Sequence, residues 1–264
     1  MMFNSKTSIM NLGFLGIGRI ATAVIKGFCT SKIKNVAINV SPRSETNSIF
    51  LEKSYPNVIR MKDNQSVLDN SDLIFIALPP KDAKQTLREL KFNKKHTVIS
   101  FVPFLEYAEL AKGIMPAKKI CRAVPFPTVE KHNCPILLFN STKTVSKIFE
   151  HIGSPIIVEN EADLHVLWTL TGLIAPFYDL CETLSNWAQS KGVQPATTNK
   201  YVMDMFSSLT SSTKGENILE FSELKKEATT PGGMNEEALK VINQKNANAA
   251  YQIAADALLA RFSN

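Results

Sequence analysis

Residues Asn11-Leu12-Gly13-Phe14-Leu15 form an apolar run that breaks into Gly16-x-Gly18-x-x-Ala21 and continues as an amphipathic segment. That order constrains the chain to a strand, a tight turn and a helix packed back on the strand. Gly16 permits the turn, Gly18 removes a side chain where a pyrophosphate must approach the backbone, and Ala21 lets the helix lie close to the strand. The phosphate charge then rests on free N–H groups at the helix start. Small residues also suit a strand-to-helix turn that binds nothing. The position near the N-terminus, with a strand before and a helix after, favours the binding turn.

The rest of the N-terminal half repeats the theme. Short β-branched runs at 11–15, 35–40, 58–61, 72–78, 97–101, 119–123, 135–139 and 155–158 are the expected strands. Helical spacing falls between them at 20–28, 81–90 and 142–152. This alternation predicts an α/β fold, a Rossmann-like doubly wound parallel sheet. The run Asp72 to Leu78 is almost wholly apolar, as a central strand buried on both faces should be. Pro79 and Pro80 end it at the carboxyl edge, where such sheets bind ligands.

After Glu159 the β-branched alternation stops and long helices are expected: 161–191 kinked at Pro176 and stopped by Gly192, then 195–212, 216–228 after a break at Gly215, and 235–262. The organisation is therefore an extension at 1–9, a dinucleotide-binding domain at 10–158 and an all-helical domain at 159–264. Ala162 to Phe177 is too apolar for a surface helix, which predicts a homodimer through the helical domain, with a larger homo-oligomer also open.

Composition narrows the partners. A 264-residue chain with 44% apolar residues can bury a sizeable core, and its net charge of +6 is spread in pairs such as Lys94-Lys95 and Lys225-Lys226 rather than in a stripe. Nucleic acid is not expected. Cys29, Cys121, Cys134 and Cys181 lack CxxC spacing and read as reduced thiols of a cytoplasmic protein. No metal site is expected: the four histidines are scattered, and Glu161-x-x-x-His165 reads as an ordinary helix surface. No apolar run is expected to reach the ~20 residues that cross a bilayer.

Two loops carry the ligand chemistry. The second strand runs into Ser41-Pro42-Arg43-Ser44, with no carboxylate for the ribose hydroxyl of NAD. Arg43 can fork a 2′-phosphate and Ser41 and Ser44 can donate to it, so NADPH is the expected cofactor, with NADH possible. Its contacts are assigned to Gly13, Gly16, Ile17, Gly18, Arg19 and Ile20 on the first turn, Ser41, Arg43 and Ser44 on the second loop, and Ala77, Leu78, Pro79 and Pro80 after the central strand. Thr229-Thr230-Pro231-Gly232-Gly233-Met234-Asn235 opens the last helix and exposes N–H groups suited to a carboxylate. Local sequence alone favours a plain helix–helix turn there, with Thr230 or Asn235 as N-cap.

Four features in order resemble the pyrroline-5-carboxylate reductases: Gly13-Phe-Leu-Gly-Ile-Gly18 with Ala21 and Gly27, Ala77-Leu-Pro-Pro80, Arg122-Ala-Val-Pro125, and Thr230-Pro-Gly-Gly233. The resemblance covers nearly the full length. It implies a Rossmann domain, an interleaved helical dimer, and NAD(P)H-dependent reduction of 1-pyrroline-5-carboxylate to proline. It also implies a small-molecule site at the second loop: Gly232, Gly233 and Met234 as substrate contacts, the first two through backbone N–H to the carboxylate, and Thr230 and Asn235 as the polar groups near the reacting ring. With the two loops on different domains, closure or dimerisation is expected to complete the site. The departures cluster on the substrate side. Phe126-Pro127-Thr128 stands where the family has Asn-Thr-Pro, Gly172-Leu-Ile-Ala-Pro-Phe-Tyr178 replaces a Ser/Gly-rich stretch, and Asn235 replaces a threonine. A reductase of another imine or carbonyl, and a non-catalytic nucleotide-binding protein, therefore stay open.

Overall fold

The computed structural model describes residues 9–212 and 220–262. The extension at 1–9 lies outside them except for Ile9, as do Gly215 and the first residues of the helix expected from Glu216. The chain divides into two compact units, the first ending at Trp168 and the second beginning at Thr169.

The first unit is built on eight strands: β1 (Met10–Leu15), β2 (Val36–Val40), β3 (Val58–Arg60), β4 (Leu73–Ile76), β5 (Thr97–Ser100), β6 (Lys119–Val124), β7 (Pro135–Phe139) and β8 (Ser154–Val158). Helices α1 (Arg19–Thr30), α2 (Glu45–Ser54), α3 (Asn64–Asp69), α4 (Pro80–Glu89), α5 (Tyr107–Gly113), α6 (Lys143–Glu150) and α7 (Glu161–Thr169) accompany them. The strand order is β3-β2-β1-β4-β5-β6-β7-β8. Neighbours are parallel except β6 and β7, which pair antiparallel, Arg122 facing Phe139. The all-parallel expectation fails there because the ten residues 125–134 carry only a short 3₁₀ turn, Pro127–Lys131, too little chain for a crossover.

Alternation along the strands feeds two cores. Leu12, Phe14, Ile38, Phe75 and Ile99 face the layer containing α1 and α6. Leu15, Ile74, Ile76, Val98 and Ile120 face the layer containing α3, α4 and α5. Phe14 stacks on Phe75 at 4.4 Å between centroids, with the rings within 4° of parallel. Chain order reverses between β1 and β4, so a crevice opens at their carboxyl ends.

The second unit holds α8 (Ile174–Ser190), α9 (Pro195–Ser212), α10 (Phe221–Ala228), α11 (Met234–Gln244) and α12 (Ala249–Leu259). The helix expected at 161–191 is interrupted by a 3₁₀ turn at Leu170–Leu173. Pro176 accounts for this, since it removes an N–H and crowds the carbonyl four residues earlier. Gly192 follows the helix with φ of +93°, as a C-terminal stop should. The helix expected at 235–262 is two, because Asn246 adopts φ of +51° between α11 and α12.

Within the described part of the second unit the buried residues are Thr169, Cys181, Ser185, Thr198 and Val202, whereas Phe177, Tyr178, Trp187, Tyr201 and Ile253 are among the exposed large apolar side chains. Unshared apolar surface on that scale marks an interface. The helical stretch Glu161–Ser190 contains an 18-residue window of mean hydropathy 1.2, long and apolar enough by length and composition alone to cross a membrane. Asp163, His165, Asp179 and Glu182 lie within it. All four cysteines are free thiols. Burial pushes those of Cys29 and Cys121 up to about 12.

Candidate active site

The crevice between β1 and β4 is a cleft of about 550 Å³. Gly16, Ile17, Gly18, Arg19 and Ile20 line it from the first turn. Arg43 and Ser44 line it from the loop after β2, and Ala77, Leu78, Pro79 and Pro80 from the end of β4. Gly16 has φ of +90°, and a Cβ there would lie 2.7 Å from the carbonyl oxygen of Ala77. Gly18 is different: its backbone is extended, and a Cβ would meet nothing within 4 Å. Gly18 is the N-cap of α1 and supplies no side-chain cap, so the first N–H groups of α1 face open cleft. An open space above helix N–H groups fits the pyrophosphate of a dinucleotide.

Two assigned residues lie elsewhere. Gly13 is buried in β1, where a Cβ would come 2.6 Å from Ser71 Oγ, so its small size serves packing. Ser41 is fully buried, and its Oγ accepts the Gly16 N–H at 3.0 Å. It holds the turn rather than lining the cleft. Four further residues complete the lining: Ala21 in the first turn of α1, Asp82 in the first turn of α4, and Phe101 and Pro103 after β5. Their position after strands that end at the same edge was the sequence signal available for them.

The substrate loop sits in the second unit. Gly233, not Thr230 or Asn235, is the N-cap of α11, and no side chain caps it. The Gly232 N–H donates to Glu236 Oε2 at 2.7 Å, and the Gly233 N–H to the Thr230 carbonyl at 2.9 Å. The two donors assigned to a substrate carboxylate are therefore taken by the chain itself. The remaining N–H groups of this helix start belong to Met234, Asn235 and Glu236. Asn235 Nδ2 donates to the Ala228 carbonyl at 2.8 Å, which leaves its Oδ1 as the available acceptor. Met234 is 88% exposed.

A third constellation was read from sequence as plain helix surface. Glu161 and His165 on α7 both turn onto Arg122 of β6, which is only 1% exposed. Arg122 Nη1 pairs with Glu161 and lies 3.2 Å from His165 Nε2, while Nη2 donates to the Val102 carbonyl at 3.0 Å. The Trp168 ring lies 5.2 Å from the guanidinium, and Nε has no hydrogen-bond partner. Burial lowers the Arg122 pKa and Glu161 opposes that shift. His165 is held below its ordinary value of 6.5 by burial and then by Arg122. Val102 stands between Phe101 and Pro103, so this cluster ties α7 to one wall of the cleft. No group of three metal-ligating side chains occurs among the described residues.

His96 shares the downward shift, again from burial first and then from Lys95. Its Nδ1 accepts the Asn93 N–H at 3.2 Å, and Nε2 is buried without a partner. Both histidines bind protons more readily unfolded, so stability should be complete above pH 6.5 and decline as pH falls below it, by at most about 1.4 kcal/mol per unit for each group. Urea midpoints at pH 7.5 and 5.5 check this. His96→Phe should shrink the difference, and equal midpoints for the wild type would contradict the assignment.

Comparison with known proteins agrees with this architecture. Residues 11–103 match the family described as NADP oxidoreductase coenzyme F420-dependent, and residues 161–264 that described as pyrroline-5-carboxylate reductase dimerisation. The second match begins at α7, whereas the compact first unit keeps α7 to Trp168. A pyrroline-5-carboxylate reductase of Corynebacterium melassecola is 22% identical over 93% of this chain and 95% of its own length. Pyrroline-5-carboxylate reductase 2 of Bacillus subtilis is 24% identical over 88% and 86%. Among solved structures, the Coxiella burnetii pyrroline-5-carboxylate reductase superposes with a TM-score of 0.83 at 22% identity, covering 97% of this chain and 98% of that one. The NADP-bound Plasmodium falciparum pyrroline carboxylate reductase gives 0.82 at 19% identity, covering 96% and 97%. A reductive aminase of Aspergillus terreus in complex with NADPH gives 0.58 at 17% identity over 78% and 75%. Both family segments occur in order, and the chain is similar over nearly its whole length to full-length relatives of one name, the pyrroline-5-carboxylate reductases.

Proposed function

We propose that this protein is an NADPH-dependent reductase of a cyclic imine, 1-pyrroline-5-carboxylate in the first instance, giving L-proline, and that it works as a homodimer through its helical unit. The observation that carries the reading is the cleft at the β1–β4 switch point, with Gly18 leaving open space over the start of α1. NADPH supplies the hydride when bound. Gly18, Arg19 and Ile20 hold the pyrophosphate through backbone N–H groups, and Arg43 takes the 2′-phosphate. A protonated imine is already electrophilic, so the chain has mainly to bind, orient and exclude water. The substrate carboxylate is assigned to the Met234 and Asn235 N–H groups, with Thr230 Oγ1 and Asn235 Oδ1 beside the ring nitrogen. The relatives named pyrroline-5-carboxylate reductase support this substrate. The reductive aminase likeness and the apolar Phe126 support a second reading, in which the imine lacks a carboxylate.

Gly233→Val tests the substrate assignment. The backbone at Gly233 has φ of −89° and ψ of +164°, which valine can adopt, and its Cβ would stand 3.0 Å from the Thr230 carbonyl. The substitution should crowd the loop and abolish turnover on the best cyclic imine, with NADPH affinity changed by less than about twofold, roughly 0.4 kcal/mol. Full activity in this variant would make the loop a helix connection only.

A further inference from the structure

The cleft contains its own ion pair. Arg43 Nη2, on the loop after β2, lies 3.1 Å from Asp82 Oδ2, in the first turn of α4. Arg43 is 64% exposed and free to swing, whereas Asp82 is 24% exposed and set into the first turn of α4. Asp82 is the only carboxylate lining the cleft among the described residues. The end of β2, where a dinucleotide fold places the acid that reads a ribose hydroxyl, runs Val40-Ser41-Pro42-Arg43 and has none.

From this juxtaposition, and resting on the cofactor assignment above, we infer that Asp82 sets the choice between NADPH and NADH: it competes with the 2′-phosphate for Arg43 and accepts the 2′-hydroxyl when no phosphate is there. Each cofactor uses one member of the pair. A phosphate draws Arg43 away and leaves Asp82 as a like charge close by, so the carboxylate weakens NADPH. An ionised carboxylate is acceptor-only and is the partner a hydroxyl donor requires, so the same group strengthens NADH. Arg43 alone would make a strict NADPH protein; Arg43 with Asp82 makes one that accepts both.

The experiment is equilibrium titration of purified protein with NADPH and with NADH, followed by cofactor fluorescence, for the wild type, Asp82→Asn, Asp82→Glu and Arg43→Ala. Asp82→Asn should bind NADPH about two- to fivefold more tightly, the scale of an exposed ion pair, and NADH about tenfold more weakly, the scale of a hydrogen bond to a charged group. Arg43→Ala should weaken NADPH about tenfold or more and leave NADH unchanged, and Asp82→Glu should restore the wild-type preference. A preference within about twofold of wild type in Asp82→Asn, or weaker NADPH binding there, overturns the inference. A wild type that binds neither cofactor overturns the functional reading, and this inference with it.

Discussion

Gly18→Val should remove NADPH binding while leaving the fold intact. The Gly18 backbone, with φ of −78° and ψ of −171°, is open to any L-residue, and its Cβ would enter empty cleft rather than protein. Stability should therefore change by no more than about 0.5 kcal/mol, the range of a surface substitution. The branched side chain would stand over the N–H groups of Arg19 and Ile20, where the pyrophosphate must come. Loss of several charge-assisted bonds at about 1.5–3 kcal/mol each predicts a decrease in affinity of a hundredfold or more. Calorimetric titration with NADPH and a thermal melt separate the two effects. A valine variant that binds NADPH normally would show that the glycine serves helix packing alone.

Arg122→Met should be the most destabilising of the single changes considered. It leaves Glu161 against a wall built for a cation and takes the donor from the Val102 carbonyl. Breaking a buried pair from one side typically costs about 3–5 kcal/mol. Arg122→Met combined with Glu161→Gln should recover part of that loss, because no uncompensated charge remains. Urea unfolding of the single and double variants measures the coupling. An additive pair of effects would mean that Arg122 and Glu161 do not act together.

Local patterning carried most of what was legible beforehand. Each of the eight strands was announced by a short apolar or β-branched run, and all but the edge strand β8, where Ile156 and Ile157 stay exposed, bury at least one face in a sheet with cores on both sides. Helices α2, α3 and α5 were not foreseen. α2 buries only Ser48 and Leu51, and α3 and α5 span six and seven residues, too few for a helical period to show. The cleft residues were readable because they sit on short stretches just after strand ends. Asp82, Phe101 and Pro103 join them only through the sheet order. The Arg122 cluster was not readable, since its partners lie 39 and 43 residues away in sequence. At the substrate loop, a glycine pair suggested free donors, but Glu236 reaches back and accepts from Gly232, a capping contact that spacing alone did not reveal.

The central claim is that the chain transfers hydride from NADPH to a cyclic imine. Its most direct test is NADPH oxidation by the purified protein, read at the nicotinamide absorbance with 1-pyrroline-5-carboxylate and with unsubstituted 1-pyrroline, alongside chromatographic analysis of the product. The account expects one equivalent of amine per NADPH consumed, L-proline from the first substrate or pyrrolidine from the second. NADPH that binds in the cleft yet is not oxidised with either imine, at any pH from 6 to 9, would contradict it.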